Sequence, residues 1–453
     1  MASPPPPTDG ARGKERRARA RKIRNRRIRR GIGDAAIDWR RRIATLAGGL
    51  ALGLVALVFA QVADKVQRLF LHVIAPSHWI ALAMVPCLFA ATAWATARWW
   101  PEARGSGIPQ IIAASRRPDE LAAGPLVSLR TAAAKFVLTL AMLFGGASVG
   151  REGPTVQITA AINVAVHRWL GVAITPGVLI AGGAAGVAAA FNTPLAGVAF
   201  AIEELAAAYE QRLAVLVMGT VMIAGFVSLG IQGDYIYLGA MHQHIALGTA
   251  IVAVPVAGVA GGACGGLFSR ALLFLSAPGR SWPHRLRAHP VPFALLCGLV
   301  VAVAGIGSGG LTWGTGYEPS KLLVEGARLD WWYGPAKFAA TLATAVSGAP
   351  GGIFAPSLSV GAGVGNILAP LFDAPPGTIV LLGMIAYFAG AVRAPLTAVI
   401  IISEATDSRI MIIPLFAAAI IADFVSARVH QERLYHGLSH AFMGPPAEAD
   451  RPS

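Results

Sequence analysis

The sequence predicts an all-α polytopic membrane protein assembled from two internal repeats of broken helices. Three observations predict it. Of 453 residues, 55% are hydrophobic and only 13% charged, with a mean hydropathy of +0.60; an ordinary soluble domain carries about 25% charged residues. Apolar segments recur from residue 43 onward, several shorter than the roughly 20 residues of a bilayer crossing and cut by Gly or Pro. The second half of the chain also restates the motifs of the first at a nearly constant offset.

Taken in order, residues 1–42 form a Pro-rich and then Arg-rich stretch expected to be a disordered cytoplasmic tail. It holds 15 Lys/Arg against 4 Asp/Glu, so +11 of the net charge of +15 lies there. Ahead of a membrane segment such a cluster places the N-terminus in the cytoplasm and meets anionic lipid headgroups; a specific nucleic-acid partner is not expected. Residues 43–63 are as long as a bilayer span and longer than a signal-peptide core, so they read as a retained first transmembrane helix. Cys87, Cys264 and Cys297 lie in apolar segments without CxxC spacing, which reads as buried small side chains with no metal or disulfide framework.

Apolar segments then run at about 43–63, 78–97, 128–144, 155–169, 172–191, 194–208 and 213–231, and again at about 245–275, 290–306, 336–347, 356–371, 377–391, 395–404 and 409–427. They define a transmembrane domain over 43–435, with one repeat at about 43–231, a second at about 245–435, and a short C-terminal tail at 436–453. Residues 134–154 align with 336–356 at an offset of 202, pairing Lys135 with Lys337, Gly150 with Gly352 and Pro154 with Pro356. TPLAGVAFAIEE (193–204) matches APLTAVIIISEA (394–405) at 201, pairing Glu203 with Glu404, and Gly105-Ser106-Gly107 is paired with Gly307-Ser308-Gly309. Duplication with broken helices points to a site where the repeats meet near the midplane.

The stretch that stands out is GGASVGREGPTVQI, residues 145–158, where Arg151 and Glu152 sit between long apolar segments. Gly145, Gly146, Gly150 and Gly153 suit a tight turn, and Pro154 marks the start of a helix whose free N–H groups attract an anion. A carboxylate at that place is a functional candidate, with an Arg151–Glu152 structural pair as the alternative. A dehydrated anion needs donors and partial positive charge, and a helix N-terminus supplies about +0.5 without the grip of a full cation.

GSGIP (105–109), GREGP (150–154), GGIFAP (351–356) and the tyrosine of ERLYHGL (432–438) occur in one ordered set spanning about residues 40–440. In this the chain resembles the CLC family of chloride channels and chloride/proton antiporters, of the prokaryotic type without cytoplasmic regulatory domains. The resemblance implies an inverted-repeat fold in a homodimer of the inner (plasma) membrane, with chloride and protons as cargo and no cofactor or metal. It implies that the Ser106 and Tyr435 hydroxyls and the backbone N–H groups of Ile353 and Phe354 bind a central chloride, with Gly105, Gly107, Gly150, Arg151, Gly153 and Pro154 supporting the pathway. Read without it, Ser106 is equally a turn serine and Tyr435 an interface aromatic.

By the same resemblance Glu152 is the gating carboxylate, competing with chloride for one positive field, and Glu204 the inner proton-transfer acid. Glu204 has Ala405 as its repeat mate, whereas Glu203 has Glu404, so Glu203 reads as structural, capping or bonding nearby backbone. Lys135 and Lys337 likewise read as structural neutralisers of carbonyl or carboxylate groups. The implied function is chloride/proton antiport; a passive voltage- or pH-gated chloride channel is the alternative. A fluoride exporter fits the GSGIP motif less well, and no nucleophile, metal cluster or phosphate loop beside Glu152 supports an enzyme.

Overall fold

The computed structural model describes residues 9–121, 124–205, 211–233, 238–241, 243–277, 282–408 and 410–443, with backbone alone over 9–38. The first half supplies α1 (Asp9–Ile74), α2 (Ile80–Trp99), α3 (Ile108–Arg116), α4 (Pro118–Leu121), α5 (Leu129–Phe144), α6 (Glu152–Trp169), α7 (Pro176–Phe191), α8 (Pro194–Phe200) and α9 (Gln211–Gln232). The second supplies α10 (Leu247–Ser276), α11 (Trp282–Arg287), α12 (Pro290–Gly307), α13 (Tyr317–Val324), α14 (Tyr333–Val346), α15 (Phe354–Leu368), α16 (Pro376–Val392), α17 (Pro395–Thr406), α18 (Ile412–Val429) and α19 (Leu434–Ser439). There is no β-strand among the described residues.

The expected segments recur as helices with small shifts at their ends. Two boundaries move. The tail expected to be disordered is helical from Asp9, continuous with the first span, because Arg and Ala are strong helix formers and residues 11–30 contain a single internal glycine; residues 1–8 lie outside the described residues. At the other end the folded chain continues past 435 through α19 and a 3₁₀ turn at His440–Phe442, because α19 packs on α3 and α10. Among the described residues six helical stretches are long and apolar enough to cross a membrane: 39–74, 80–99, 247–276, 290–307, 354–371 and 412–429. Their outward faces carry exposed Leu247, Ile251, Leu296, Val303, Ile413 and Phe424, the surface a lipid tail accepts. Cys87 also faces outward on α2, against its expected burial.

Small residues set the packing between helices, as they do where lipid removes the hydrophobic drive. On α10, Gly258, Gly262 and Gly266 recur every four residues and press on α18, while Gly261 and Gly265 press on α16. A Cβ at Gly262 would stand 2.6 Å from the Ala422 backbone, and one at Gly265 would stand 2.5 Å from the Ala391 nitrogen. Pro86 in α2 and Pro255 in α10 sit inside helices, which neighbouring helices make tolerable.

The repeats meet about an approximate two-fold axis, and two reciprocal contacts mark it. Gly150 N–H donates to the Gly352 carbonyl at 2.8 Å, and Gly352 N–H returns a bond to Gly150 at 2.9 Å. Beyond α8, Glu203 accepts from the backbone N–H groups of Leu396 (3.1 Å) and Thr397 (2.7 Å) and from the Thr397 hydroxyl (2.8 Å), capping α17. Near the end of α17, Glu404 accepts from Ala196 N–H at 3.1 Å, capping α8. Each helix is capped from the other's C-terminal end, so these repeat mates run antiparallel. The second half is thus inverted relative to the first, and the capping expected of Glu203 is observed.

Candidate functional site

Three broken helix starts and one short helix converge where the repeats meet. The loop ahead of α3 is fixed by Lys135, which is fully buried on α5 and donates to the carbonyls of Ala103 (2.8 Å) and Gly105 (2.6 Å). Two buried amides add to this hold: Gln110 donates to Glu102 and Arg104 carbonyls, and Gln157 to the carbonyls of Glu102 and Leu126. Gly105 and Gly107 take positive φ of 64° and 107°, a backbone that glycine adopts without strain. Gly107 has a further reason to lack a side chain, since a Cβ would lie 2.9 Å from Gln157 Cβ. Ser106 is thereby held at the N-terminal end of α3.

The second repeat corrects its expected register at this loop. Lys337 donates to the carbonyls of Thr312 and Gly314, both at 2.9 Å, and α13 starts after Gly316. The mate of Gly105-Ser106-Gly107 is therefore Gly314-Thr315-Gly316, with positive φ at both glycines, and not Gly307-Ser308-Gly309. Ser308 instead closes α12, donating to the Gly305 carbonyl and accepting from Thr312 N–H. Lys135 and Lys337 both grip carbonyl groups, as expected.

The α6 start places Glu152 as its first residue, with the side chain fully buried. Pro154 is the third helical residue, two positions later than expected; the missing N–H is still one of the first-turn groups that lack an intrahelical acceptor. A Cβ at Gly150 would overlap the Glu152 carboxylate and lie 3.3 Å from the Ala355 nitrogen. The carboxylate thus lies beside the starts of both α6 and α15, where helix dipoles favour negative charge. Arg151 turns toward α1, donating to Asp64 Oδ1 at 2.7 Å and to the Ala60 carbonyl at 2.8 Å.

On α15, Ile353 is the N-cap and Phe354 the first helical residue, and both are buried. The Phe354 ring is fixed among Phe388 (5.0 Å between centroids), Phe200 (5.7 Å), Tyr435 (5.9 Å) and Phe191 (6.3 Å). Gly153, Gly352 and Ser106 crowd together: a Cβ on Gly153 would overlap Ser106 Oγ and come within 3.2 Å of Gly352 Cα. Only glycine lets the two helix starts and the serine approach this closely.

Tyr435, fully buried on α19, faces Ser106. The two hydroxyls lie within interaction range of each other, and neither makes a further hydrogen bond to the protein. Buried hydroxyls are donors as well as acceptors, so the pair places two O–H groups at one buried spot beside the helix starts. Both Glu152 and Glu204 lie close enough to the Tyr435 hydroxyl to act on it electrostatically. A cavity of about 360 Å³ reaches Ser106, Ile353 and Tyr435 from one face of the protein.

Glu204 sits in a π-helical turn (Ala201–Leu205) that extends α8, a distortion common at functional sites. It is fully buried and neither carboxyl oxygen has a hydrogen-bond partner, although Arg433 and Arg116 act on it at longer range. Its neighbour Glu203 is fully used as a cap, so the adjacent acids have opposite environments. Asp64, Gln110 and Gln157 were not singled out by sequence; the signal available was a polar residue within or closing an apolar run. Among the described residues no group of three His, Cys, Asp or Glu side chains is placed to hold a metal.

A family model described as voltage gated chloride channel matches residues 87–427. The chain is 29% identical over 422 residues to the H(+)/Cl(-) exchange transporter ClcA of Yersinia pestis bv. Antiqua (strain Angola), covering 86% of this chain and 85% of that protein. It is 30% identical over 386 residues to the protein of the same name from Vibrio parahaemolyticus serotype O3:K6, covering 80% of each. Its fold matches the crystal structure of a slow cyanobacterial Cl-/H+ antiporter with a TM-score of 0.76 at 23% identity, over 89% of this chain and 98% of that one.

Proposed function

The chain belongs to the voltage gated chloride channel family, and from that premise we propose that it exchanges chloride for protons across the bacterial inner membrane as a homodimer, with its basic N-terminus on the cytoplasmic side against anionic lipid. The observation that carries the reading is the convergence of the buried Ser106 and Tyr435 hydroxyls with the starts of α6 and α15. That set offers hydroxyl donors and partial helix charges with no full cation in contact, the field that a passing chloride requires. Ile353 and Phe354 contribute backbone N–H groups from the first turn of α15.

Glu152 and chloride compete for one field. Ionised, the carboxylate occupies the helix starts; protonated, it loses that attraction and yields to chloride, so each anion entry is linked to a proton event. Glu204, buried and without donors, takes up the proton on the side of Arg433 and Arg116. Its lack of hydrogen bonds supports this role, because a carboxyl that nothing fixes as an anion can change protonation state. Arg151, tied to Asp64, shapes the potential from behind the turn.

Reconstituted vesicles test this. A chloride gradient should drive proton movement in the wild type. Glu152→Gln should retain chloride flux and lose proton movement. Chloride flux with no proton movement in the wild type would make the protein a passive channel and overturn the exchange reading.

A further inference from the structure

The cavity leading to Ser106 and Tyr435 carries two arginines that the exchange mechanism does not use. Arg104 and Arg287 both line it, and the charge of Arg104 is felt by Arg287. Among the described residues neither forms an ion pair within 4.0 Å of a carboxylate, although Glu102 acts on Arg104 at longer range. Arg104 is anchored by one Nη donating to the Ala441 carbonyl at 3.4 Å, with its guanidinium stacked 4.7 Å over the Phe442 ring. Arg287 is anchored by Nη1 donating to the Ser276 carbonyl at 2.6 Å. The acid on the same wall, Glu432, lies at the exposed rim, its Oε1 3.5 Å from His440 Nδ1. Most of the remaining wall is apolar, including Leu272 and Leu273.

Two like charges held together in a half-buried, largely apolar recess repel each other. Each anchor consumes one nitrogen of a guanidinium, leaving donors of both planar forks for the cavity. Paired forks match an anion with several oxygens and about two charges, whereas a single spherical chloride cannot engage both in bidentate fashion. The volume of about 360 Å³ admits such a group beneath Ser106.

We propose that Arg104 and Arg287 form a binding site for a phosphate-class oxyanion, inorganic phosphate or the phosphate of a nucleotide, at the mouth of this cavity. An oxyanion there stands across the route to Ser106 and Tyr435 and inhibits transport. The inhibition, though not the binding, rests on the chloride reading above.

The test measures chloride flux from vesicles holding the full-length protein, with phosphate added on both sides at constant ionic strength and gluconate as the monovalent control. Wild type should be inhibited by phosphate and not by gluconate. Arg104→Gln and Arg287→Gln should each raise the half-inhibiting phosphate concentration by about tenfold, equivalent to about 1.4 kcal/mol of lost binding. Arg104→Lys, which keeps the charge and loses the fork, should shift it less. A parallel arm with ADP separates the sources: stronger inhibition by ADP than by phosphate assigns the site to nucleotides, and the reverse assigns it to inorganic phosphate. Titration calorimetry of phosphate into the purified protein reads binding even where no flux is seen, so failure of the chloride reading is distinguishable. Intact chloride flux that phosphate does not inhibit, or equal inhibition of wild type and both Gln variants, overturns the proposal.

Discussion

Glu203 and Glu204 are adjacent in sequence and chemically identical, yet their removal should change stability in opposite directions. Glu203 accepts three hydrogen bonds from the start of α17. Hydrogen bonds to a charged group contribute about 1.5–3 kcal/mol each, and partial exposure of Glu203 reduces the sum, so Glu203→Ala should cost about 2–4 kcal/mol. Glu204 is fully buried with both oxygens unbonded, and a polar group so placed costs about 1–3 kcal/mol. Glu204→Leu, close in volume, should therefore leave stability unchanged or raise it by about 1 kcal/mol. Thermal unfolding in detergent reads both stabilities, and proton movement in chloride-loaded vesicles reads the role of Glu204 in transport. Glu203→Ala should lower the unfolding temperature, while Glu204→Leu should abolish proton movement in a protein that is no less stable. If Glu204→Leu destabilised the protein as much as Glu203→Ala, the division of labour between them would be wrong.

Further outcomes follow from the same geometry. Lys135→Met should cost about 2–5 kcal/mol by leaving buried carbonyls unpaired and should weaken chloride binding measured calorimetrically, because the Ser106 loop loses its anchor; Lys337→Met should cost a similar amount with little change in affinity. Gly153→Ala places a Cβ against Ser106 and Gly352 and should lower chloride affinity by about tenfold, whereas Gly105→Ala, with open space around it, should cost about 1 kcal/mol of backbone strain and leave affinity nearly intact. His436, on α19 beyond the last spanning helix, is pushed down to about 4 by burial and then by Arg116, Arg433 and His440; Arg116 donates to its Nδ1 at 2.6 Å. The unfolded chain protonates this histidine near 6.5 and the folded chain does not, so stability present above 6.5 should decline as pH falls toward 4. His436→Gln should flatten that part of the profile in thermal unfolding.

Much of this protein was legible in the sequence by itself. Hydropathy gave the helices, because a lipid-facing helix must be apolar along its length whatever it packs against. The offset motifs gave the duplication, and the repeat mate Glu404 marked Glu203 as structural, whereas the burial of Glu204 is visible only in the folded chain. Register at the Ser106 loop was not legible, because the second repeat contains both Gly307-Ser308-Gly309 and Gly314-Thr315-Gly316 and local composition cannot choose between them. The choice is made by Lys337, whose reach from α14 fixes which carbonyls it grips. Likewise the partner of Arg151 is Asp64, 87 residues away, and Arg104 and Arg287 come to line one cavity. Charges in a medium that cannot solvate them take whichever counter-group the packing brings within reach, and that is decided by tertiary structure alone.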